Sequence, residues 1–335
     1  MQFVKLLTLQ PVLIFCTWSP QNVVFDISIG DYYRPIISGF FGTSGIRHDF
    51  IIDTQCDIIY HPEVPPTFVL SQLTLVGSSH DEGVVIPRPD SRDGRREIDR
   101  RSSIGVGFGS EFAQTVGRMI LIPTRIGQFQ SPYRMIANPS DPQSVCADRA
   151  MIMTNVNVES GHRQTFRLDV TLRHFDNGDS RPLSPSGVDR ESSGPSDFPV
   201  SITGQYRIST LYPHIRLPLE TKRALADTIR REMGLPESQR LSSELPRGCA
   251  AIISRLPSIQ FSIVNDNGEQ MGAIVLSPED YVEVQPRSLI CKLYVDLYSL
   301  TDRLNTDLYL GRVFLERVGT FFDYENQQIG FCEPE

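Results

Sequence analysis

Leu308-Tyr309-Leu310-Gly311-Arg312-Val313-Phe314-Leu315, followed closely by Thr320-Phe321-Phe322-Asp323-Tyr324-Glu325-Asn326-Gln327-Gln328-Ile329-Gly330-Phe331, is the most informative stretch of this chain. The segment from Val313 to Phe322 reads as strand. Moving outward, Leu289 to Leu297, Ala273 to Leu276 and Ile259 to Val264 have the same character. So do Met119-Ile120-Leu121-Ile122, Ile58-Ile59-Tyr60, Phe50 to Asp53 and Ile36-Ile37-Ser38-Gly39. Phe166 to Leu172 alternates as a half-buried strand does, and Asp176-Asn177-Gly178 ends it. One clear helix is predicted over Leu219 to Met233, begun after Pro218, stopped at Gly234, with Leu225 and Ile229 one turn apart on one face. Proline and glycine, 24 of each, recur at short intervals and favour many short strands joined by turns.

The 335 residues suffice for two domains or one large one, and an apolar content of 40% is that of a globular protein. A formal charge of −8 gives no basic footprint for nucleic acid. Residues 1–19, with one early lysine and an apolar core from Leu6 to Trp18, read as a signal peptide, which places the protein in a secretory, vacuolar or extracellular space. No other segment approaches the length of a membrane-spanning helix. Of the six cysteines, Cys16 would leave with the signal; an odd number remains, so at least one is free or pairs between molecules. No zinc-ligand spacing and no glycine-rich phosphate loop occurs, so neither a metal nor a cofactor is expected. The polar run 78–103, with Arg95-Arg96 and Arg100-Arg101, reads as a solvated loop, a processing site being the minor alternative. Residues 176–198, rich in Ser, Pro, Gly and Asp, read as a connection between two halves.

Each half contains one segment of a common shape. Phe50-Ile51-Ile52-Asp53-Thr54 runs apolar into Asp-Thr; Tyr206-Arg207-Ile208-Ser209-Thr210 repeats it with serine in the place of the aspartate. Two-carboxylate chemistry needs an acid and a base facing each other, and here one of the two is missing.

The C-terminal stretch closely resembles the last strands of pepsin-like aspartic proteases, whose pattern runs I-L-G-D-x-F-L and then T-V-F-D-x-x-N-x-x-I-G-F. Cys249 with Leu256-Pro257-Ser258-Ile259-Gln260-Phe261-Ser262-Ile263 resembles C-x-x-I-x-x-L-P-x-I-x-F-x-I. Leu276-Ser277-Pro278-Glu279-Asp280-Tyr281-Val282 resembles L-x-P-x-x-Y-I. Ile208-Ser209-Thr210-Leu211 with Leu217-Pro218 falls where the family has V-D-T-G-T-S-L-L-T-G-P, and Ile52-Asp53-Thr54-Gln55-Cys56-Asp57 where it has F-D-T-G-S-S. Val106-Gly107-Phe108-Gly109-Ser110 resembles the flap motif Y-G-x-G-S, and Ala147 to Met153 loosely resembles F-D-G-I-L-G-L.

The resemblance implies a mainly β, bilobal pepsin-like acid protease fold with a central cleft that takes a peptide or protein ligand. Its lobes would span 20–178 and 199–335, joined by 179–198. It implies a Cys249–Cys291 disulfide, whose closed loop would contribute on the order of 3–4 kcal/mol in the chain-entropy model. It makes Asp53 the remaining member of a catalytic pair, Ser209 the replacement of the other, and Thr54 and Thr210 the residues that tie the two loops together.

The departures argue against proteolysis. In the family the two aspartates share a proton across a water, one acting as base and the other as acid. A serine hydroxyl cannot cycle a proton in that range, and losing one positioned proton-transfer group costs ~10²–10⁴-fold. The glycines after each Asp-Thr are replaced by Gln55 and Leu211, side chains expected to push the loops apart or crowd the cleft. Val106 stands where the flap tyrosine is expected. The leading expectation is an inactive pepsin-like protein that binds peptides or proteins. The alternatives are a divergent active protease in which Asp57 or Glu220 replaces the lost carboxylate, and a secreted structural β protein. Ser209 as a nucleophile served by His214, or Cys56 as a reactive thiol, is the outlying reading.

Overall fold

The computed structural model describes residues 22–30, 34–41, 47–55, 59–60, 73–78, 83–86, 103–124, 132–147, 150–159, 163–173, 183–184, 201–265, 267–286, 288, 290–297 and 308–334. The expected signal peptide, the paired arginines, Cys56 and Asp57 lie outside these residues, as does the 179–198 connection apart from Leu183–Ser184.

The protein is mainly β. A 12-stranded sheet runs in the order Ile152–Asn155, Gln328–Cys332, Gly319–Asp323, Arg118–Pro123, Tyr133–Ala137, Val23–Ile29, Pro35–Phe41, His48–Asp53, Ser103–Gly105 and Ile59–Tyr60. Leu73–Val76 branches from Pro35–Phe41 and carries Gly83–Ile86. A 7-stranded sheet runs Leu183–Ser184, Gln270–Leu276, Ser258–Val264, Arg163–Arg173, Ile202–Ile208 and Leu308–Leu310, with Asn157–Glu159 paired to Arg163–Arg173. A small sheet of 3 strands joins Glu244–Leu245, Cys291–Leu293 and Val282–Val284.

The second sheet takes strands from both sides of residues 179–198. Arg163–Arg173 already belongs to the second sheet, with Phe166 opposite Tyr206 and Leu168 opposite Ile263. The tail crosses back: Thr320 lies opposite Leu121, and Phe331 opposite Ile152. Cross-strand burial settles these places, because Phe166, Phe261, Phe314 and Phe331 form one aromatic cluster with neighbouring rings 5.6–5.7 Å apart. A Cys146–Cys332 disulfide, Cα–Cα 5.6 Å, staples the returning tail to the first part of the chain. The sequence left that pairing open. The expected Cys249–Cys291 disulfide is present as well, Cα–Cα 6.0 Å.

The strand expected over Val313 to Phe322 is in fact a turn of helix, Arg312–Leu315, followed by the strand Gly319–Asp323. All residues from Arg312 to Leu315 are buried, so the polar stripe that marks a surface helix is absent. The two charges that close this turn, Arg312 and Glu316, pair with each other at 2.9 Å and are themselves buried. Helix Leu219–Met233 forms as predicted, with Leu225 and Ile229 fully buried. Gly234, at φ 64°, ends it in the left-handed conformation. A second helix, Glu111–Val116, was not foreseen.

Candidate functional site

Two half-sites share one construction. His48–Asp53 pairs antiparallel with Pro35–Phe41 on one side and parallel with Ser103–Gly105 on the other. Ile202–Ile208 pairs antiparallel with Arg163–Arg173 and parallel with Leu308–Leu310. Covered on both edges, these strands bury consecutive residues: Phe50, Ile51 and Ile52 in the first, Ile208 and Ser209 at the end of the second. Asp53 lies opposite Gly105, and Val106 N–H donates to the Asp53 carbonyl at 2.9 Å. Ser209 N–H donates to the Leu310 carbonyl at 2.9 Å, with Gly311 next in the chain. A Cβ on Gly311 would run into the carbonyls of Tyr212 and His214, so this close approach needs glycine. A short helix follows each parallel strand, Glu111–Val116 in one half and Arg312–Leu315 in the other.

Thr54 and Thr210 are joined by a reciprocal set of bonds. Thr54 N–H donates to Thr210 Oγ1 and Thr210 N–H to Thr54 Oγ1, each at 3.2 Å. Thr54 Oγ1–H donates to the Ile208 carbonyl at 3.0 Å, and Thr210 Oγ1–H to the Ile52 carbonyl at 2.6 Å. Both threonines are only 3% exposed, so these groups would go unsatisfied without each other. The residues that precede them, Asp53 and Ser209, are thereby held on adjoining loops.

Asp53 is half-buried, and its Oδ1 accepts the Gln55 N–H at 2.8 Å. Ser209 is 0% exposed, and its hydroxyl accepts the Tyr212 N–H at a long 3.4 Å. Gln55 does not push the loops apart. Its amide turns across to the Ile208 carbonyl at 3.5 Å, so Gln55 adds a weak fifth bond between the halves. Leu211 is half-exposed beyond the tie.

The flap assignment of Val106, Gly107 and Gly109 is corrected. Val106 is 1% exposed, and its carbonyl accepts the Tyr324 hydroxyl at 2.8 Å. Gly107 is buried and Gly109 half-buried. Ser110 Oγ accepts the Ala113 N–H at 3.0 Å and donates to the Gly107 carbonyl at 2.7 Å, which makes it the N-cap of Glu111–Val116. The segment is an anchored strand end and helix entrance beside Asp53. The missing flap tyrosine inferred from Val106 goes with it. The loose match of Ala147 to Met153 has no place beside Asp53 either, since Ile152–Asn155 pairs with Gln328–Cys332.

The alternative roles are no better placed. Glu220 is exposed in the first turn of Leu219–Met233. The His214 ring lies 5.9 Å from Tyr294, while the Ser209 hydroxyl meets a backbone N–H. Burial pushes the His214 imidazole below its ordinary value; Asp296 opposes this and Lys292 reinforces it. Beyond Ser209, Tyr212 is 44% exposed and stacks on Tyr309 with centroids 4.8 Å apart. Arg216 sits 4.9 Å over the other ring of that stack, Tyr309, and pairs with Asp296 at 2.8 Å. Burial foremost raises the Tyr309 hydroxyl to about 12, against the pull of Arg216. These residues come together through the bridge from Arg216 to Tyr309, a contact between distant positions for which the sequence carries no signal.

Below the tie lies a recess of about 380 Å³, counting the part open to solvent. Phe108, Val156, Phe166, Ile208, Phe322 and Ile329 form its walls, and Thr54, Gln55, Gln164 and Arg207 supply its polar groups. Asp53 and Ser209 are not among its lining residues. Among the described residues no group of three or more His, Cys, Asp or Glu could hold a metal ion, and no helix is long and apolar enough to cross a membrane. No protein-family model matches this chain, and a search of the curated proteins finds no match.

Proposed function

We propose that this chain is a bilobal pepsin-like protein without proteolytic activity, which binds a peptide or protein segment in the cleft between its lobes. A secretory or extracellular setting, where its two disulfides persist, belongs to the same reading. The observation that carries it is the Thr54–Thr210 tie, with a carboxylate before one threonine and a buried serine before the other. A frame of this kind holds two side chains at fixed separation. With Asp at both places it could deprotonate water and protonate a leaving group. With Asp53 and Ser209 it can do only one of the two, and the parts of such a unit do not work at half rate when separated. What survives is a half-buried carboxylate acceptor beside a fixed backbone, which suits holding an extended chain by its N–H groups.

The test is incubation of the purified protein with a mixed peptide pool across acidic pH, with and without a pepstatin-type inhibitor. The expected result is the absence of inhibitor-sensitive products. Robust products that the inhibitor suppresses would overturn the proposal.

A further inference from the structure

Two thioethers converge on one glycine in the strand that closes the chain. Met153 lies opposite Gly330 in the pairing of Ile152–Asn155 with Gln328–Cys332. Met151, two residues earlier, shares that face, while Ile152 between them packs against Gly272 on the other. A Cβ on Gly330 would lie 2.5 Å from Met153 Sδ and 2.7 Å from Met151 Sδ, so the two sulfurs fill the place that a side chain would take. Both methionines are half-buried, whereas Gly330 and its neighbours Ile329 and Phe331 are buried.

We propose that Met151 and Met153 form an oxidation site for small hydroperoxides, and that oxidation there loosens the returning tail. A thioether lone pair attacks the outer oxygen of the hydroperoxide. An S–O bond forms as the O–O bond breaks; sulfur gives up two electrons, and the peroxide leaves as an alcohol, or as water from hydrogen peroxide. The flexible apolar thioether becomes a polar sulfoxide. Kept over Gly330, the sulfoxide would press its oxygen against a packed backbone, at the desolvation cost of a polar group without a partner. Turned to solvent, it leaves Gly330 uncovered, since the glycine has no side chain of its own. Either way the contact that covers this pairing is lost. The pairing runs only from Ile152 opposite Phe331 to Asn155 opposite Gln328, and among the described residues it ends its sheet. Thr154 Oγ1–H still donates to the Val264 carbonyl at 3.4 Å, and Cys146–Cys332 still holds the tail at its far end. The tail therefore opens locally and does not leave.

This inference goes beyond the binding function proposed above and does not depend on it. Its test treats the whole purified protein with hydrogen peroxide, follows each methionine by peptide mass mapping, and follows the backbone by hydrogen exchange. The chain supplies its own controls: Met119 and Met135 are 0% exposed, and Met271 is 46% exposed. Met151 and Met153 should be oxidised at least about tenfold faster than Met119 and Met135. Once both are sulfoxides, amide exchange in Ile152–Asn155 and Gln328–Cys332 should quicken by about tenfold or more. Treatment with methionine sulfoxide reductases should reverse the change. The double variant Met151→Leu, Met153→Leu, close in volume to the native pair, should show no quickening, and Met271→Leu should show it in full. The proposal is overturned if Met151 and Met153 react no faster than the buried methionines, or if exchange is unchanged when both are oxidised. It is equally overturned if the quickening survives in the folded double variant or vanishes in Met271→Leu.

Discussion

The Asp53 half-site and the Ser209 half-site have the same backbone and different chemistry. Each sits at the end of a strand gripped by an antiparallel neighbour and a parallel one, and each ends in a threonine bonded to the other. What the two share is what the fold requires: buried N–H and C=O groups must find partners, and Thr54 and Thr210 supply them. What they do not share lies in side chains that the fold can exchange. The Ser209 hydroxyl contributes one hydrogen bond of 3.4 Å, and Gln55 turns its bulk into a further link across the halves. On the proposed reading a catalytic frame outlasts its chemistry, because different atoms maintain the two.

The largest effect should come from the covalent ties. Cys146–Cys332 closes a separation of 186 residues and Cys249–Cys291 one of 42; the chain-entropy model gives about 5 and about 4 kcal/mol. Paired Cys→Ser variants, followed by chemical denaturation, should rank in that order. The reverse order would mean that the returning tail is held mainly by its sheet. Next comes the threonine tie. Thr54→Val strands the Thr210 N–H and a bond to the Ile208 carbonyl, and Thr210→Val strands the Thr54 N–H and a bond to the Ile52 carbonyl. Each should cost about 1–3 kcal/mol. Thr210→Val should cost more, since the Gln55 amide still reaches the Ile208 carbonyl. The double variant should cost less than the sum, and strict additivity would show that the bonds do not act as one unit.

A smaller change should have the opposite sign. Tyr206 occupies the position of Phe50 in the other half, and its buried hydroxyl has no hydrogen-bond partner. Burial alone raises it well above the ordinary tyrosine value. Tyr206→Phe makes the second half like the first and should stabilise the protein by up to about 1–2 kcal/mol, read as a rise in Tm. A loss of stability would show that the hydroxyl is satisfied in solution.

The smallest effect concerns pH. His214 has a folded pKa below its ordinary value of about 6.5, so the unfolded chain takes up its proton first as pH falls. Its contribution is present above the unfolded value and is lost on acidification below it. Denaturation curves from pH 7 down to pH 5 should fall less steeply for His214→Gln than for the wild type. Equal slopes would mean that Asp296 balances burial at this site.

Much of the fold was written in local pattern. The helix Leu219–Met233 shows its start, its stop and its buried face in sequence, because each depends on residues within a few turns. The strand Arg118–Pro123 and the Cys249–Cys291 pair could be named for similar reasons, the second through family resemblance. Other parts depended on distant neighbours. Val106 to Ser110 carries flap-like glycines, but the parallel pairing of Ser103–Gly105 with Ile51–Asp53 makes it a buried strand end. Arg312–Leu315 is buried on every side because the tail returns to the first sheet, and so it has no helical stripe. In the site, the like shapes around Asp53-Thr54 and Ser209-Thr210 were visible in the chain. The recess and the Arg216–Tyr309 contact were not, since residues from far-apart strands meet there.

The central claim is that the frame persists while the chemistry is gone. Its most direct test sets wild-type protein beside Asp53→Asn in one acid-pH peptide cleavage assay with mass-spectrometric detection. The account predicts the same background level of products from both proteins. Cleavage by the wild type that disappears in Asp53→Asn would contradict it and show that a second group has taken the place of the carboxylate missing at Ser209.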